Sequence, residues 1–194
     1  MKYLKNHLKD HIQIGNLIDL TSINKILNLL KNLKKVKGRL FILGVGGSAG
    51  NASHAVNDFR KLCGIEAYGP ADNVSELTAR TNDDGWENVF SKWLETSNLS
   101  KKDMLLFFSV GGGSLERKIS VNLINAAKYG KKTNCKIASV IGRKKGYLKK
   151  VSNACCVVPN VNKHSITPHT ETYQVFVWHM LVSHPKLQIK KTVW

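Results

Sequence analysis

A chain of 194 residues with 42 % hydrophobic side chains can bury one sizeable core, which excludes a disordered or fibrous protein. No apolar run is long enough to span a bilayer and no signal-peptide core is evident, so a cytoplasmic location is expected and a membrane partner is not. The net charge of +17 comes from scattered lysines that far outnumber arginines and have no interleaved aromatics, which reads as a solvated surface rather than a nucleic-acid interface.

The first 36 residues read as a helical extension. Lys2 to Ile12 is the less regular part. Ile23, Ile26, Leu27, Leu30 and Leu33 then recur at helical spacing behind Thr21-Ser22, a reasonable N-cap. This apolar stripe needs a partner, either the rest of the domain or another subunit. Over 37–194 strands and helices alternate, with no linker, so 1–194 is expected to be one domain. Strands are predicted at 39–43, 65–68, 104–109, 136–141 and 154–158. Helices are predicted at 48–62, 85–96, 114–129, 146–152 and 168–183, the last with Thr167 as N-cap and Pro168 in its first turn. The strands at 104–109, 136–141 and 154–158 are largely apolar, as in a parallel sheet covered on both faces. The fold class is therefore α/β, a parallel αβα sandwich. Cys63, Cys135, Cys155 and Cys156 form no CxxC pair and read as reduced structural thiols.

Two segments repeat one design: an apolar strand, a glycine-rich turn, then a serine expected to open a helix. They are Gly44-Val45-Gly46-Gly47-Ser48 and Ser109-Val110-Gly111-Gly112-Gly113-Ser114. Such turns let backbone N–H groups converge on an anion at a helix N-terminus. The first also fits the dinucleotide pattern GxGxxA, with Glu66 where a ribose-binding acid would sit. A dinucleotide fold does not need the second, which tips the balance away from that competing reading. Together they predict two walls of one crevice for a phosphorylated small molecule. His54 and Asp58 share a helix face at i, i+4, either as a surface pair or as a carboxylate base with a histidine that orients it or binds a metal. His169, Glu171 and His179 lie on the mostly apolar C-terminal helix, where core burial competes with function. Asn82-Asp83-Asp84-Gly85 reads as a turn whose side chains could instead reach sugar hydroxyls.

In order and spacing, Gly44–Ser48, Asn82-Asp83, Ser109–Ser114 and a terminal helix ending in His179 resemble the sugar isomerase (SIS) domain family, over nearly the whole chain and nearest to its heptose-phosphate isomerases. The resemblance implies a three-layer, flavodoxin-like sandwich with a five-stranded parallel sheet. It also implies an aldose–ketose isomerase acting on a phosphosugar, sedoheptulose 7-phosphate above all, in heptose supply for surface polysaccharide. A non-catalytic sugar-phosphate sensor or adaptor is the alternative. Position by position, it implies Asp58 as base and His179 as acid/base. Val45, Gly46, Gly47, Ser48, Asn82, Asp83 and Glu171 would contact substrate. Ser109, Val110, Gly111 and Ser114 would bind phosphate. Zinc, which some members bind, would fall to His54, Asp58, Glu171 and His179, with no nucleotide cofactor. The chain departs from the family at Val45 (asparagine), Gly111 (serine), Asp58 (glutamate) and Glu171 (glutamine), and its second loop is two hydroxyls poorer. Glu171 and His179 are eight residues apart, about 12 Å along one helix, too far to share an ion held at about 2 Å. Active sites are therefore expected at subunit interfaces of a homo-oligomer, a tetramer by family resemblance.

Overall fold

The computed structural model describes residues 1–191; the last three residues of the expected domain lie outside the described residues. The sheet is built from Leu40–Leu43 (β1), Ala67–Tyr68 (β2), Met104–Ser109 (β3), Lys136–Ile141 (β4) and Ala154–Val157 (β5). All neighbours pair in parallel, in the spatial order β2-β1-β3-β4-β5. Parallel pairing demands crossovers, supplied here by helices. Those described are Lys2–Leu17 (α1), Leu20–Lys35 (α2), Gly47–Cys63 (α3), Val74–Asp83 (α4), Val89–Thr96 (α5), Val121–Lys132 (α6), Tyr147–Val151 (α7) and Ile166–Val182 (α8).

Alternation along each strand divides the core in two. Leu40, Ile42, Leu106, Phe108 and Val140 face one side and pack with α2, α3 and α8. Phe41, Leu43, Leu105, Phe107 and Ile137 face the other and pack with α5 and α6. Because both faces are covered, nearly every strand residue is buried, and the strands read as unbroken apolar runs. The expected three-layer αβα sandwich is the observed one. The stripe Ile23–Leu33 finds its partner within its own chain, since all five residues lie in the first core cluster. The apolar row that stays exposed is on α1, where Leu4, Leu8 and Ile12 are 62 %, 62 % and 58 % accessible.

Several local expectations need correction. Asp19, not Thr21-Ser22, caps α2, its carboxylate accepting from Thr21 N–H at 2.9 Å. Ser165 rather than Thr167 precedes α8. The helix expected at 85–96 starts at Val89, and α4 has no counterpart among the expected helices, so Asn82 and Asp83 close a helix instead of forming a turn. The helix expected at 114–129 starts only at Val121. Residues 114–119 form a small closed loop, with Ser114 and Ile119 exchanging both backbone hydrogen bonds and Lys118 and Ser120 in left-handed conformations.

Glu66 immediately precedes β2, beside the starts of β1 and β2, where its carbonyl accepts from Leu40 N–H. It therefore sits at the opposite sheet edge from Gly44–Ser48, which removes it as a ribose ligand for the first loop. That same edge is closed by Asp103, whose carboxylate accepts from Arg39 and Ser100. The four cysteines are free and buried, and burial pushes the thiols of Cys63, Cys135 and Cys156 up to about 11. Among the described residues, no helix is long and apolar enough to cross a membrane.

Candidate active site

In an open parallel sheet the crevice forms at the carboxyl ends of strands whose crossovers leave in opposite directions. In this strand order that point lies between β1 and β3. The two glycine-serine loops leave those two strands. In the first, Gly46 takes a left-handed φ of 63° and caps α3, so the helix opens at Gly47, one residue before Ser48. The first N–H groups of α3, at Gly47 and Ser48, lack intrahelical acceptors, as at any helix N-terminus. Ser48 is buried, and its hydroxyl accepts from Gln174 Nε2 at 3.0 Å. Gln174 in turn accepts from Asn51, which also donates to the Glu171 carbonyl, so α8 locks the loop in place.

The second loop folds on itself. Ser109 Oγ accepts from Gly112 N–H at 3.0 Å, and Gly112 and Gly113 take left-handed φ values of 70° and 79°. Tyr147 and Leu148 of α7 donate backbone bonds to the Gly113 and Gly112 carbonyls. Gly111 faces open space. Between the loops lies a cavity of about 560 Å³ lined by Val45, Ser48, Ser109, Val110, Gly111 and Ser114. Arg117, Arg143 and Lys145 also line it, with Glu116 as the one acid, so an anion would meet three cations against a single carboxylate. The sequence-based site contains none of the three. In sequence Lys145 is only part of a surface lysine pair, and Arg117 falls inside the helix expected at 114–129.

A separate group lies on the outer face, where α3 and α8 pack together. Asp58 is buried; its Oδ2 is 3.3 Å from His179 Nε2 and 3.6 Å from His54 Nε2. Trp178 Nε1–H donates to the same oxygen at 3.0 Å, and Asn57 Nδ2–H donates to Oδ1 at 3.1 Å. The buried indole needs an acceptor, and the carboxylate needs donors; each satisfies the other. One ligand atom from each of His54, Asp58 and His179 lies within 4.8 Å of the others, so this group could hold a metal ion. Two imidazoles and a carboxylate match the donors that zinc takes. The sequence singled out these three residues but missed Trp178, which holds the carboxylate.

The remaining expected residues do not join either group within one chain. The Glu171 carboxylate stands over Gly47, where a Cβ would come within 2.6 Å of it. It thus lies at the loop end of α8, about 12 Å along the helix from His179. Asn82 donates to Asp83 Oδ1 at the end of α4, and neither lines the cavity. Asp58 is ten residues beyond Ser48 on α3, about 15 Å along its axis. One chain therefore carries the loop-lined cavity and the His–Asp–His group as two distinct parts.

Known proteins share this architecture and up to about a third of this sequence. No family model matches the chain. It is 31 % identical over 181 residues to the phosphoheptose isomerase of a Nitratiruptor species, covering 91 % of this chain and 85 % of that protein. It is 29 % identical over 165 residues to a phosphoheptose isomerase of Helicobacter pylori, covering 82 % and 78 %. Its fold matches the solved structure of phosphoheptose isomerase GmhA from Neisseria gonorrhoeae with a TM-score of 0.80 at 21 % identity, over 93 % of this chain and 95 % of that one. With 31 % identity sustained along nine-tenths of its length, the chain belongs to the phosphoheptose isomerase family of enzymes.

Proposed function

We propose that this protein is an aldose–ketose isomerase that interconverts sedoheptulose 7-phosphate and D-glycero-D-manno-heptose 7-phosphate, in heptose supply for surface polysaccharide. The observation that carries this reading is the cavity at the β1–β3 switch point, where two glycine-serine loops and three cations converge on a volume suited to a sugar phosphate. The phosphate binds at Ser109–Ser114 with Arg117, Arg143 and Lys145, whose charge makes up for the hydroxyls the second loop lacks. Binding energy gathered there positions the reacting carbons. Asp58 removes the C1 proton α to the C2 carbonyl and, as the electron pair shifts to the carbonyl oxygen, an enediol forms. His179 moves the proton between the two oxygens, and the carbon-bound proton returns at C2. No electrons leave the sugar, so no redox cofactor enters the balance. Zinc would be held by His54, Asp58 and His179, and when bound it supplies polarisation of a sugar oxygen.

The acid–base group and the cavity are separated along α3, so the working site is assembled from two copies, with the exposed α1 row Leu4, Leu8 and Ile12 as an association surface of a homotetramer. The test is complementation. At substrate concentrations near the wild-type KM, Asp58→Asn, and a variant carrying Arg117→Ala with Arg143→Ala, each lose turnover of sedoheptulose 7-phosphate, the first through kcat and the second through KM. Equal mixtures, dissociated and reassembled, regain about a quarter of the wild-type rate, because random pairing rebuilds that share of sites. No recovery, in mixtures shown to exchange subunits, contradicts the shared site. One observation favours a second reading. In the single chain, His54, Asp58 and His179 do not reach the cavity, as a non-catalytic sugar-phosphate sensor would allow. Tight sugar-phosphate binding with no turnover by the wild type would select it.

A further inference from the structure

Away from both parts of the candidate site, a second knot of ring nitrogens joins α1 to α8. His7 and His11 are four residues apart on α1, so one helix face presents both. His169, 3 % exposed in the first turn of α8, packs against them with ring centroids 4.7 Å from each. His7 Nε2 and His11 Nε2 are 3.2 Å apart. One nitrogen of each ring lies within 4.8 Å of the other two.

Apolar packing does not account for this cluster. His7 Nδ1 and His169 Nδ1 are buried and have no hydrogen-bond partner among the described residues. Each therefore carries a desolvation cost that nothing among those residues offsets. A carboxylate stands behind the rings. Asp10 Oδ2 lies 3.3 Å from His169 Nε2 and accepts from Asn162 Nδ2 at 2.9 Å. The tautomer that points Nε2–H at Asp10 leaves a lone pair on the orphaned Nδ1 of His169. This is the arrangement by which a carboxylate orients a metal-binding imidazole.

We infer that His7, His11 and His169 form a second metal site, which takes a divalent ion of the zinc, cobalt or nickel class. Three imidazoles suit those ions and not magnesium or calcium, which take oxygen ligands. His7 and His11 are partly exposed, which opens a route for the ion and room for a water ligand. The ion ties α1 to α8. Ile14 is the one fully buried residue of α1, and the Tyr173 hydroxyl donating to the His11 carbonyl is among its few polar ties to the core. The site is structural: it fixes the helix that carries the exposed Leu4, Leu8 and Ile12 row.

The test uses Co²⁺ and the full chain with His54→Ala and His179→Ala, so that the first group cannot respond. This variant takes up one equivalent of Co²⁺ with a visible absorption band. At a free concentration of 100 times Kd, its ratio of folded to unfolded protein rises about 100-fold. Adding His7→Gln or His11→Gln, both at partly exposed positions, abolishes the band, and Asp10→Asn weakens binding about 10- to 100-fold. Circular dichroism at each step shows whether the helices persist. A folded His54→Ala/His179→Ala chain that takes up no Co²⁺, or uptake unchanged by His7→Gln and His11→Gln, overturns the inference.

Discussion

Replacing Trp178 with Phe removes the indole donor to Asp58 while keeping most of the aromatic packing. Trp178 is fully buried, its ring stacked on Phe108 at 5.7 Å, and its Nε1–H donates to Asp58 Oδ2 at 3.0 Å. A hydrogen bond to a charged acceptor contributes about 1.5–3 kcal/mol. The space left by the smaller ring costs about 1 kcal/mol more. Trp178→Phe should therefore destabilise the protein by about 2.5–4 kcal/mol. In an Asp58→Asn background the same bond is neutral and contributes about 1 kcal/mol, so the substitution should cost about 0.5–2 kcal/mol less there. Urea unfolding at one fixed protein concentration measures both. A carboxylate that is no longer pinned should also lower kcat by about 10- to 100-fold while KM changes little. Equal costs of Trp178→Phe in the two backgrounds would refute the role given to the indole.

Each arginine of the cavity should contribute about 1.5–3 kcal/mol to holding a phosphate, so Arg117→Ala or Arg143→Ala should raise KM about 10- to 100-fold with kcat nearly unchanged. Steady-state kinetics at two salt concentrations checks this; a fall in kcat alone would place these side chains outside phosphate binding. At the opposite sheet edge, burial alone would raise the Asp103 carboxyl, but hydrogen bonds from Arg39 and Ser100 outweigh it and hold the pKa below its ordinary 3.8. A depressed folded-state pKa gives stability that is present above the unfolded value and lost as pH falls through the folded one. Stability should therefore be level above pH ~5 and decline below pH ~4. Asp103→Asn should flatten that acid decline while costing about 2–3 kcal/mol at neutral pH. Unfolding curves at about pH 3 and about pH 7 decide it, and an undiminished acid decline in the variant would count against the Arg39–Asp103 clamp.

What could be read from the sequence was whatever depends on short-range pattern. The runs at 104–109, 136–141 and 154–158 announced buried parallel strands because both their faces are covered. The glycine-serine loops announced the turns at the ends of β1 and β3 because their backbone chemistry is local, and a cavity lies between them. The helix begun at 114 was misplaced because Leu115 and Ile119 stand at helical spacing, yet Lys118 and Ser120 turn left-handed and the Ser114–Ile119 pairing closes a loop instead. Helix α4 was invisible to hydrophobic periodicity because it buries none of its residues. Its available signal was Asn73, whose side chain caps Ser75 and Glu76. The bond between Trp178 and Asp58 spans 120 positions, and no local pattern encodes it. Likewise Arg117 and Arg143 reach the cavity only because the 114–119 loop and the turn after β4 fold toward the same strand ends.

The central claim is that Asp58 moves a carbon-bound proton of a phosphosugar held in the β1–β3 cavity. The most direct measurement is proton NMR of sedoheptulose 7-phosphate incubated with the protein in D₂O. The account predicts that the wild type replaces a C1 proton with deuterium and forms the aldose, and that Asp58→Asn slows both by about 10²- to 10⁴-fold while still binding the sugar phosphate. Exchange by Asp58→Asn at the wild-type rate, or aldose formation with no deuterium incorporated, would contradict it.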